Sequence, residues 1–362
     1  MTGALIIRAD ASIPVGTGHV MRCLALAQAW QDVGGNAVFA MTESTASVDQ
    51  RLRSEGVEIV RLGACANSVR DARDTSALAR DRDAEWVVVD GYQFDSEYQR
   101  NLQTCGHKVL LVDDIGECMQ YFADCVLNQN VQANEKLYRN REPSTRLLLG
   151  SSYALLRREF QKWRKWKRRV APVAQKVLIT VGGSDSANFT TFILRTLQMV
   201  EMAGLEAMVA VGGSNPHWES LKRAASQFEG SVQVHRDVSN MPGLMAGADI
   251  AISAGGGTCY ELALLQVPML VITVAENQKP TCEALAGKGA AVNLGWSHSL
   301  KRDRLAESLQ RVIFNSELRQ SLINNARNLV DGDGARRVVD ILSLQRGQPG
   351  DVMTWGAQAG AE

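Results

Sequence analysis

The sequence predicts an α/β protein made of two parallel-sheet domains, one in each half of the chain. Short apolar runs alternate with helix-length segments from one end to the other. Several runs are continuously apolar, such as Trp-Val-Val-Val at 86–89, and such runs are typical of strands that helices cover on both faces. Strand–helix units repeated in this way form parallel sheets. At 362 residues the chain is long enough for two cores of ordinary size.

The first half carries the first predicted domain, a Rossmann-like unit over residues 1–155. An amphipathic segment at 21–33 has apolar residues at helical spacing and is the first long predicted helix. The predicted strands of this domain are the short apolar runs 5–8, 37–41, 57–62, 86–90, 109–113, 126–128 and 147–149.

The second half repeats the pattern and predicts a second Rossmann-like domain over residues 175–345. Helices are expected over much of 303–345, and the tail 346–362, rich in Gly, Ala and Gln, is expected to be flexible. The predicted strands are the runs 176–181, 207–211, 232–234, 250–253, 269–274 and 291–294.

A strongly basic segment joins the two halves, within a linker predicted at 156–174. Residues 157–169 hold eight basic residues and one acidic residue. One interpretation is a solvated helical linker. Another is that some of its arginines face the cleft between the domains and bind anionic substrate, with Arg157 the best candidate. Contact with a membrane surface or RNA is less favoured, because the whole chain is electrically neutral.

Composition excludes several classes of protein. The 39 Lys and Arg residues balance the 39 Asp and Glu residues, so a dominant nucleic-acid partner is not expected. No apolar run approaches the roughly 20 residues that span a bilayer, and the N-terminus does not have the pattern of a signal peptide. The seven cysteines are irregularly spaced and form no CxxC pair, which favours a reduced cytoplasm. The oligomeric state is left open.

A glycine-containing turn follows the first predicted strand and opens the first predicted helix. Gly16 and Gly18 allow a tight turn and a close approach of a ligand to the backbone. The dinucleotide-binding pattern GxGxxG is incomplete, because Met21 stands where the third glycine would be. The turn therefore predicts a ligand site without predicting NAD.

His19, directly after that turn, is the candidate catalytic residue. The N-terminus of a helix favours a neutral imidazole over an imidazolium ion. A neutral histidine that faces a cleft is a competent general base near neutral pH. Arg8 and Asp10, at the carboxyl end of the first strand, are candidates to orient His19 or to bind substrate. The alternative is a histidine that only makes a local hydrogen bond.

A second glycine-rich turn predicts a phosphate site in the second half. Gly255, Gly256 and Gly257 follow a predicted strand, and Thr258 opens the next helix. Backbone N–H groups at such a turn bind phosphate with little steric obstruction. Glu261 lies one helical turn further on, where a carboxylate accepts hydrogen bonds from both hydroxyls of a ribose. The alternative is a turn whose glycines serve only packing.

Other polar residues end neighbouring strands, where parallel sheets hold their ligands. Glu276, Asn277 and Gln278 follow one strand of the second half, and they are either substrate ligands or an ordinary polar loop. Gly183 and Ser184 follow another strand and predict a backbone surface near the phosphates or the cleft.

Strand ends of the first half also carry polar side chains. Tyr92, which follows Asp90, is a candidate substrate ligand, as are the carboxylates of Asp90, Asp113 and Asp114. The alternative for these residues is turn formation at the ends of the strands.

No motif for a metal or an organic cofactor is present. The sequence has no P-loop, HExxH, EF-hand or GxSxG pattern, so we expect an enzyme without a cofactor and without a metal. Four other histidines have no ligand spacing, and we interpret them as structural or exposed (His107, His217, His235 and His298). Two cysteines beside the motifs, Cys23 and Cys259, have no evident base, and we interpret them as packing residues.

The motifs, taken together, resemble one family of sugar-nucleotide enzymes. The segments that carry the resemblance are IRADASIPVGTGHVMRCLALA, VVDGYQFD, LVDDIG, LLGSSYALLRREF, VLITVGGSD and ISAGGGTCYELALLQVPMLVITVAENQ. They are similar to the UDP-2,4-diacetamido-2,4,6-trideoxy-β-L-altropyranose hydrolases of pseudaminic acid biosynthesis, in order from about residue 5 to 295. The SAGGGTxxE pattern alone is shared with the wider glycosyltransferase-B superfamily, and the segment after 300 adds nothing to the match.

This resemblance implies a glycosyltransferase-B fold, with two Rossmann-like domains around a central cleft that holds a UDP-sugar. It implies that His19 of the GTGH segment is the catalytic histidine and that Glu261 binds the ribose. It also implies that Gly255 to Gly257, with Thr258, hold the diphosphate.

The predicted reaction is attack of water on the anomeric carbon of a UDP-linked diacetamido sugar, with His19 as the base and inversion at that carbon. Two alternatives stay open. One is a glycosyltransferase that passes the sugar to an acceptor hydroxyl. The other is a protein that binds UDP-sugar without reacting with it.

Overall fold

The computed structural model describes residues 3–12, 15–183, 185–213 and 215–344. Within these ranges the chain forms two separate sheets, one before and one after the basic segment. The fold class predicted from the sequence, two Rossmann-like parallel-sheet domains, is confirmed. Ser184 and the predicted tail 346–362 lie outside the described residues.

The first sheet has seven strands in the order β3-β2-β1-β4-β5-β6-β7, and every neighbouring pair is parallel. The strands are β1 (Ala4–Ala9), β2 (Asn36–Met41), β3 (Glu58–Arg61), β4 (Trp86–Asp90), β5 (Lys108–Val112), β6 (Cys125–Asn128) and β7 (Arg146–Leu149). The helices between them are α1 (Gly18–Asp32), α2 (Ala46–Ser54), α3 (Val69–Asp81) and α4 (Ser96–Thr104).

The second sheet has six strands in the order β10-β9-β8-β11-β12-β13, again all parallel. The strands are β8 (Lys176–Thr180), β9 (Glu206–Val211), β10 (Ser231–Arg236), β11 (Ile250–Ala254), β12 (Met269–Thr273) and β13 (Ala291–Trp296). The helices are α5 (Phe189–Leu197), α6 (Trp218–Ser226), α7 (Met241–Gly247), α8 (Thr258–Leu264), α9 (Lys279–Gly287), α10 (Arg302–Phe314), α11 (Ser316–Ala326) and α12 (Gly334–Leu344). None of the helices in the described part of the chain is long and apolar enough to cross a membrane.

Both sheets are buried on their two faces, as the continuous apolar runs predict. In β4, for example, Trp86 and Val88 pack in the core on one side, whereas Val87 and Val89 pack in the core on the other. All five residues of β4 are buried. Helices therefore cover both faces, and ligands can reach the sheets only at the strand ends and the loops that follow them.

Each sheet has a point where the chain changes direction along the strand order. In the first sheet β1 and β4 are neighbours. The strands that follow β1 in the chain, β2 and β3, lie on one side of this pair, and those that follow β4 lie on the other. In the second sheet β8 and β11 have the same relation. Such switch points leave a crevice at the carboxyl ends of the two central strands, which is where open α/β sheets bind their ligands.

The predicted domain limits stay a prediction, but α12 differs from the expectation. The sequence-based division assigns this helix to the second domain, whereas its apolar face packs in the core of the first. Val338, Val339 and Leu342 are fully buried there against α1. The indole N–H of Trp86 donates a hydrogen bond to the carbonyl of Leu342 at 3.1 Å. Helical periodicity predicts this apolar face but does not identify the sheet that it covers.

The basic segment is not the solvated α-helix of the first interpretation. It forms a short 3-10 helix at Arg158–Trp163 and then an irregular stretch. Arg158 pairs with Asp32 of α1 at 2.8 Å, and Arg168 donates to the carbonyls of Met245 and Ala248 near the end of α7. These arginines hold the segment against both domains, whereas Lys165 and Lys167 are exposed.

Candidate functional site

His19 lies at the switch point of the first sheet, in the first turn of α1. Its Nδ1 is 2.6 Å from Oδ1 of Asp90, the last residue of β4, which is fully buried. The rings of His19 and Tyr92 meet edge to face with their centroids 4.8 Å apart. The Nε2 atom has no hydrogen-bond partner among the described residues. An imidazole whose Nδ1–H donates to a carboxylate presents the lone pair of Nε2, the atom that a general base uses.

Arg22 fixes the carboxylate that orients His19. Its guanidinium donates two hydrogen bonds to Asp90, both at 2.7 Å, and two to Asp114, at 2.9 and 2.7 Å. Burial alone would raise the pKa of the Asp90 carboxyl, but the charge of Arg22 and the hydrogen bonds from Arg22 and His19 outweigh burial and lower this pKa. Asp90 is therefore a carboxylate near neutral pH and accepts a hydrogen bond from His19.

Hydrogen bonds at Tyr92 and at Asn130 connect this cluster to the second domain. Asn277 donates to the hydroxyl of Tyr92 at 2.7 Å, and that hydroxyl donates to Asp114 at 3.1 Å. Asn130 donates to Asp114 at 2.7 Å and accepts a hydrogen bond from Tyr260 at 3.2 Å. The predicted residues Tyr92 and Asn277 thus meet each other across the domain boundary, next to His19.

A cavity of about 410 Å³ lies between the two domains. Thr17 and Met21 of the first domain line it, together with Gly183, Thr258 and Glu261 of the second. Thr17 and Met21 are one helical turn apart and share a face of α1, whereas His19, between them, turns towards β4. The size is ordinary for a pocket that binds a small molecule.

The glycine turn 255–257 ends β11 at the switch point of the second sheet. A Cβ atom on Gly255 would lie 2.3 Å from Sγ of Cys282, so packing requires this glycine. A Cβ on Gly256 would meet no atom within 4 Å, and one on Gly257 only Nε2 of Gln129 at 4.0 Å. Because packing explains only the first glycine, the space above the other two is open to a ligand. The amides of Gly257 and Thr258 donate no hydrogen bond within the described part of the chain.

Glu261 and Arg157 form an ion pair on the wall of the cavity. Nη2 of Arg157 is 2.9 Å from Oε1 of Glu261, and both side chains are largely buried. Burial raises the pKa of the Glu261 carboxyl, and the nearby charge of Arg157 only partly offsets this effect. Of the two interpretations of the basic segment, the position of Arg157 fits the one in which an arginine faces the cleft.

Arg8 and Asp10 differ from the expectation that they bind substrate or orient His19. Arg8 is fully buried, and its guanidinium pairs with Asp71 at 2.9 Å and with Asp10 at 2.7 Å. Asp10 accepts hydrogen bonds from the amides of Thr42 and Glu43. Both residues therefore hold β1 to the loop after β2 and to α3. Side chains alternate along a strand, and that of Arg8 points into the core.

The remaining predicted residues have mixed positions. Gly16 has a φ of +81°, which favours glycine, and Gly18 begins α1 with open space around it. Gly183 faces Thr17, because a Cβ there would lie 3.2 Å from the threonine Oγ1. Glu276 is exposed, and the side chain of Gln278 accepts a hydrogen bond from the amide of Val274 within its own loop.

Sequence reasoning did not assign Arg22, Asn130 or Tyr260 to the site. Helical spacing contains a signal for Arg22, because residues three apart share a face of a helix and Arg22 follows His19 by three. No local pattern marks Asn130 or Tyr260, whose contact joins residues 130 positions apart. In the described ranges, no group of three or more His, Cys, Asp and Glu side chains could hold a metal ion.

The model of the glycosyltransferase family 28 C-terminal domain matches residues 176–339. The spore coat polysaccharide biosynthesis protein SpsG of Bacillus subtilis is 30% identical over 65% of this chain and 68% of its own length. The UDP-2,4-diacetamido-2,4,6-trideoxy-beta-L-altropyranose hydrolase of Campylobacter jejuni is 27% identical over 80% of this chain and 98% of its own length.

The crystal structure of MurG from Acinetobacter baumannii superposes with a TM-score of 0.66 at 16% identity, over 94% of this chain and 99% of that one. At this identity the likeness concerns the fold alone. The fold is the glycosyltransferase-B arrangement that the family resemblance implies.

Proposed function

We propose that this chain hydrolyses a UDP-linked 2,4-diacetamido-2,4,6-trideoxy sugar. The chain belongs to the family that contains SpsG of Bacillus subtilis and the altropyranose hydrolase of Campylobacter jejuni. The products are the free sugar and UDP, and the pathway is the biosynthesis of pseudaminic acid. The observation that carries the proposal is the pair formed by His19 and Asp90, in which a buried carboxylate holds the histidine with Nε2 unpartnered among the described residues.

In this mechanism Nε2 of His19 takes a proton from a water molecule as the water attacks the anomeric carbon. Asp90 holds the ring in the tautomer whose Nε2 is unprotonated, and it stabilises the positive charge that the ring gains. The two hydrogen bonds from Arg22 keep Asp90 from rotating away or taking up a proton. The bond between the anomeric carbon and the phosphate oxygen breaks, and UDP leaves with the electron pair.

The nucleotide is proposed to lie in the cavity between the two domains, with its ribose hydroxyls on Glu261. Thr258 lines this cavity, and Gly255, at the other end of the glycine turn, lies against Gln278. The neighbouring Asn277 donates to the hydroxyl of Tyr92, whose ring packs against His19. The amides of Gly257 and Thr258 would stabilise the charge that develops on the diphosphate. Along these contacts the ribose comes first, at Glu261, then the diphosphate, at the glycine turn, and last the sugar, near His19. This arrangement supports attack at carbon, because the proposed base lies next to the sugar and not next to the phosphates.

Isotope labelling tests which bond breaks. With ¹⁸O-labelled water, we expect the label in the free sugar and none in UDP, and the first anomer formed is expected to be inverted. No metal enters this scheme, so the rate should be the same with and without EDTA. Label in the phosphate of UDP would mean attack at phosphorus, and the mechanism would be wrong even with the substrate correctly assigned.

A glycosyltransferase is the second candidate, because the family model that matches residues 176–339 is of a glycosyltransferase domain. His19 would then deprotonate an acceptor hydroxyl. An NMR time course of the purified protein with UDP-sugars distinguishes the candidates. Release of free sugar with UDP and no acceptor supports hydrolysis, turnover only with an acceptor supports transfer, and an unchanged UDP-sugar after hours supports binding alone.

A further inference from the structure

A row of four alternating charges lines one wall of the cavity and ends on Glu261; we call it the charge row. Arg51 of α2 contacts Glu159, Glu159 pairs with Arg157 at 3.2 Å, and Arg157 pairs with Glu261 at 2.9 Å. All four side chains line the cavity. The row therefore connects a helix of the first domain to the first turn of α8 in the second.

Glu261 depends on a single cation. Its side chain is 12% exposed, and Arg157 is its only ion-pair partner within the described ranges. The other charged or titratable groups that face it are Glu159, from the 3-10 helix, and the buried thiol of Cys259, from α8 itself. Arg51 of α2 reaches Glu261 only through the charge row. Burial and Glu159 raise the pKa of Glu261, so Arg157 is what favours its charged form.

Arg157 is itself held in place. Its Nε donates to Glu159 at 3.2 Å, its Nη2 faces Glu261, and its guanidinium carbon lies 5.5 Å from the centre of the Phe160 ring. A guanidinium fixed at two of its nitrogens presents a constant geometry to the carboxylate. The Oε2 atom of Glu261 has no hydrogen-bond partner in the described part of the chain.

We propose that Arg157 is a positioning residue for nucleotide recognition, which holds Glu261 as a carboxylate aimed at the ribose hydroxyls and does not itself bind the diphosphate. This inference rests on the proposed function, in which Glu261 binds the ribose. The two hydroxyls of a ribose donate to a carboxylate, and hydrogen bonds to a charged acceptor are the stronger kind. A protonated Glu261 would offer one acceptor fewer and no charge.

The Arg157→Gln variant tests this with uridine, which has no phosphate. Without Arg157, burial and Glu159 act on Glu261 unopposed, so its pKa rises and more of it is protonated at pH 6. We expect the affinity of the variant for uridine to be about tenfold below wild type at pH 6 and to recover by pH 8. NMR titrations should show wild-type affinity constant within about twofold over this range. Arg157→Lys keeps the positive charge, so its affinity for uridine should be as independent of pH as that of the wild type. This variant also provides a test if Arg157→Gln does not fold.

Matched variants separate this inference from its alternatives. Arg158→Gln, in the neighbouring residue that pairs with Asp32, should leave affinity unchanged, and Arg157→Gln/Glu261→Gln should bind uridine as Glu261→Gln does. A loss of affinity for UDP but not for uridine would mean that Arg157 contacts the diphosphate directly. An equal loss of affinity for uridine at every pH would mean that Arg157 has a structural role. Either result overturns this inference but leaves the proposed function unaffected. If Glu261→Gln binds uridine as wild type does, the proposed ribose site itself is wrong.

Discussion

The switch points of the two sheets have the same topology but different contents. At the first, between β1 and β4, the space is filled by the side chains of His19, Asp90 and Arg22. At the second, between β8 and β11, the surface is backbone, with a glycine turn after each strand. Ionisable side chains can take and hold protons, whereas open amides can bind an anion. Under the proposed function, the first domain would contribute the reaction and the second the binding of the nucleotide.

The largest effect should come from the first switch point. His19→Ala removes the proposed base but replaces none of the residues that line the cavity. We expect turnover to fall by at least about 10²-fold, with UDP affinity nearly unchanged, as measured by hydrolysis assay and calorimetry. His298→Ala, in an exposed histidine, is the control and should have the wild-type rate. Wild-type turnover by His19→Ala would exclude it as the base.

Asp90→Asn should have the next largest effect. The amide can no longer hold the imidazole of His19 in one tautomer, and we expect turnover to fall by about 10–100-fold with UDP affinity unchanged. Asp113→Asn is the matched control, because Asp113 follows the neighbouring strand but accepts hydrogen bonds from its own loop at Ile115 and Gly116. Asp113→Asn should lower the unfolding temperature but reduce turnover less than Asp90→Asn does. Equal losses of turnover in both variants would argue against a special role for Asp90.

Glu261→Ala tests the second switch point and should show the opposite pattern. We expect UDP binding to weaken by roughly 1–3 kcal/mol, since a charged hydrogen-bond acceptor is lost. The loss should be the same for UDP and UDP-sugar, because both contain the ribose. Calorimetry measures it, with Glu307→Ala, at an exposed residue of α10, as the control. Unchanged affinity for UDP would remove Glu261 from the site.

The smallest effects should come from two glycines of the same turn. Gly255→Ala places a methyl group against Cys282, and we expect it to reduce the free energy of unfolding by about 1–3 kcal/mol. Gly257 has a φ of −55°, which alanine adopts without strain, so Gly257→Ala should change stability by less than about 1 kcal/mol and weaken UDP binding. Denaturant unfolding and calorimetry measure the two effects. If Gly257→Ala leaves UDP affinity unchanged, the turn does not hold the diphosphate.

The fold could be predicted because its signals are local. The continuous apolar run of β4 indicates burial on both faces, and the structure has β4 at the centre of the first sheet. The packing of α12 could not be predicted, since its apolar face fits either core and its contact with Trp86 spans 256 residues.

Prediction of the site followed the same division. The motif that contains His19 marks the end of a strand and the start of a helix, which sequence patterns resolve. The partner Asp90 is 71 residues away, and its contact with His19 depends on β1 and β4 being neighbours. Arg8 shows the converse. Its position beside a motif predicts contact with substrate, but in the structure Arg8 forms a buried ion pair with Asp71. Spacing along the chain does not show which way a strand residue points.

The return of α12 to the first domain means that this domain is assembled from two distant parts of the chain. The second domain is, in effect, inserted between them, and the polypeptide crosses the boundary twice, once outward through the basic segment and once back before Gly334. Two covalent crossings restrict the relative rotation of the domains more than a single linker would. A fragment that ends before α12 would expose the apolar surface of α1 that Val338 and Leu342 cover, and dissection of this protein into autonomous halves would require carrying that helix along with the N-terminal part.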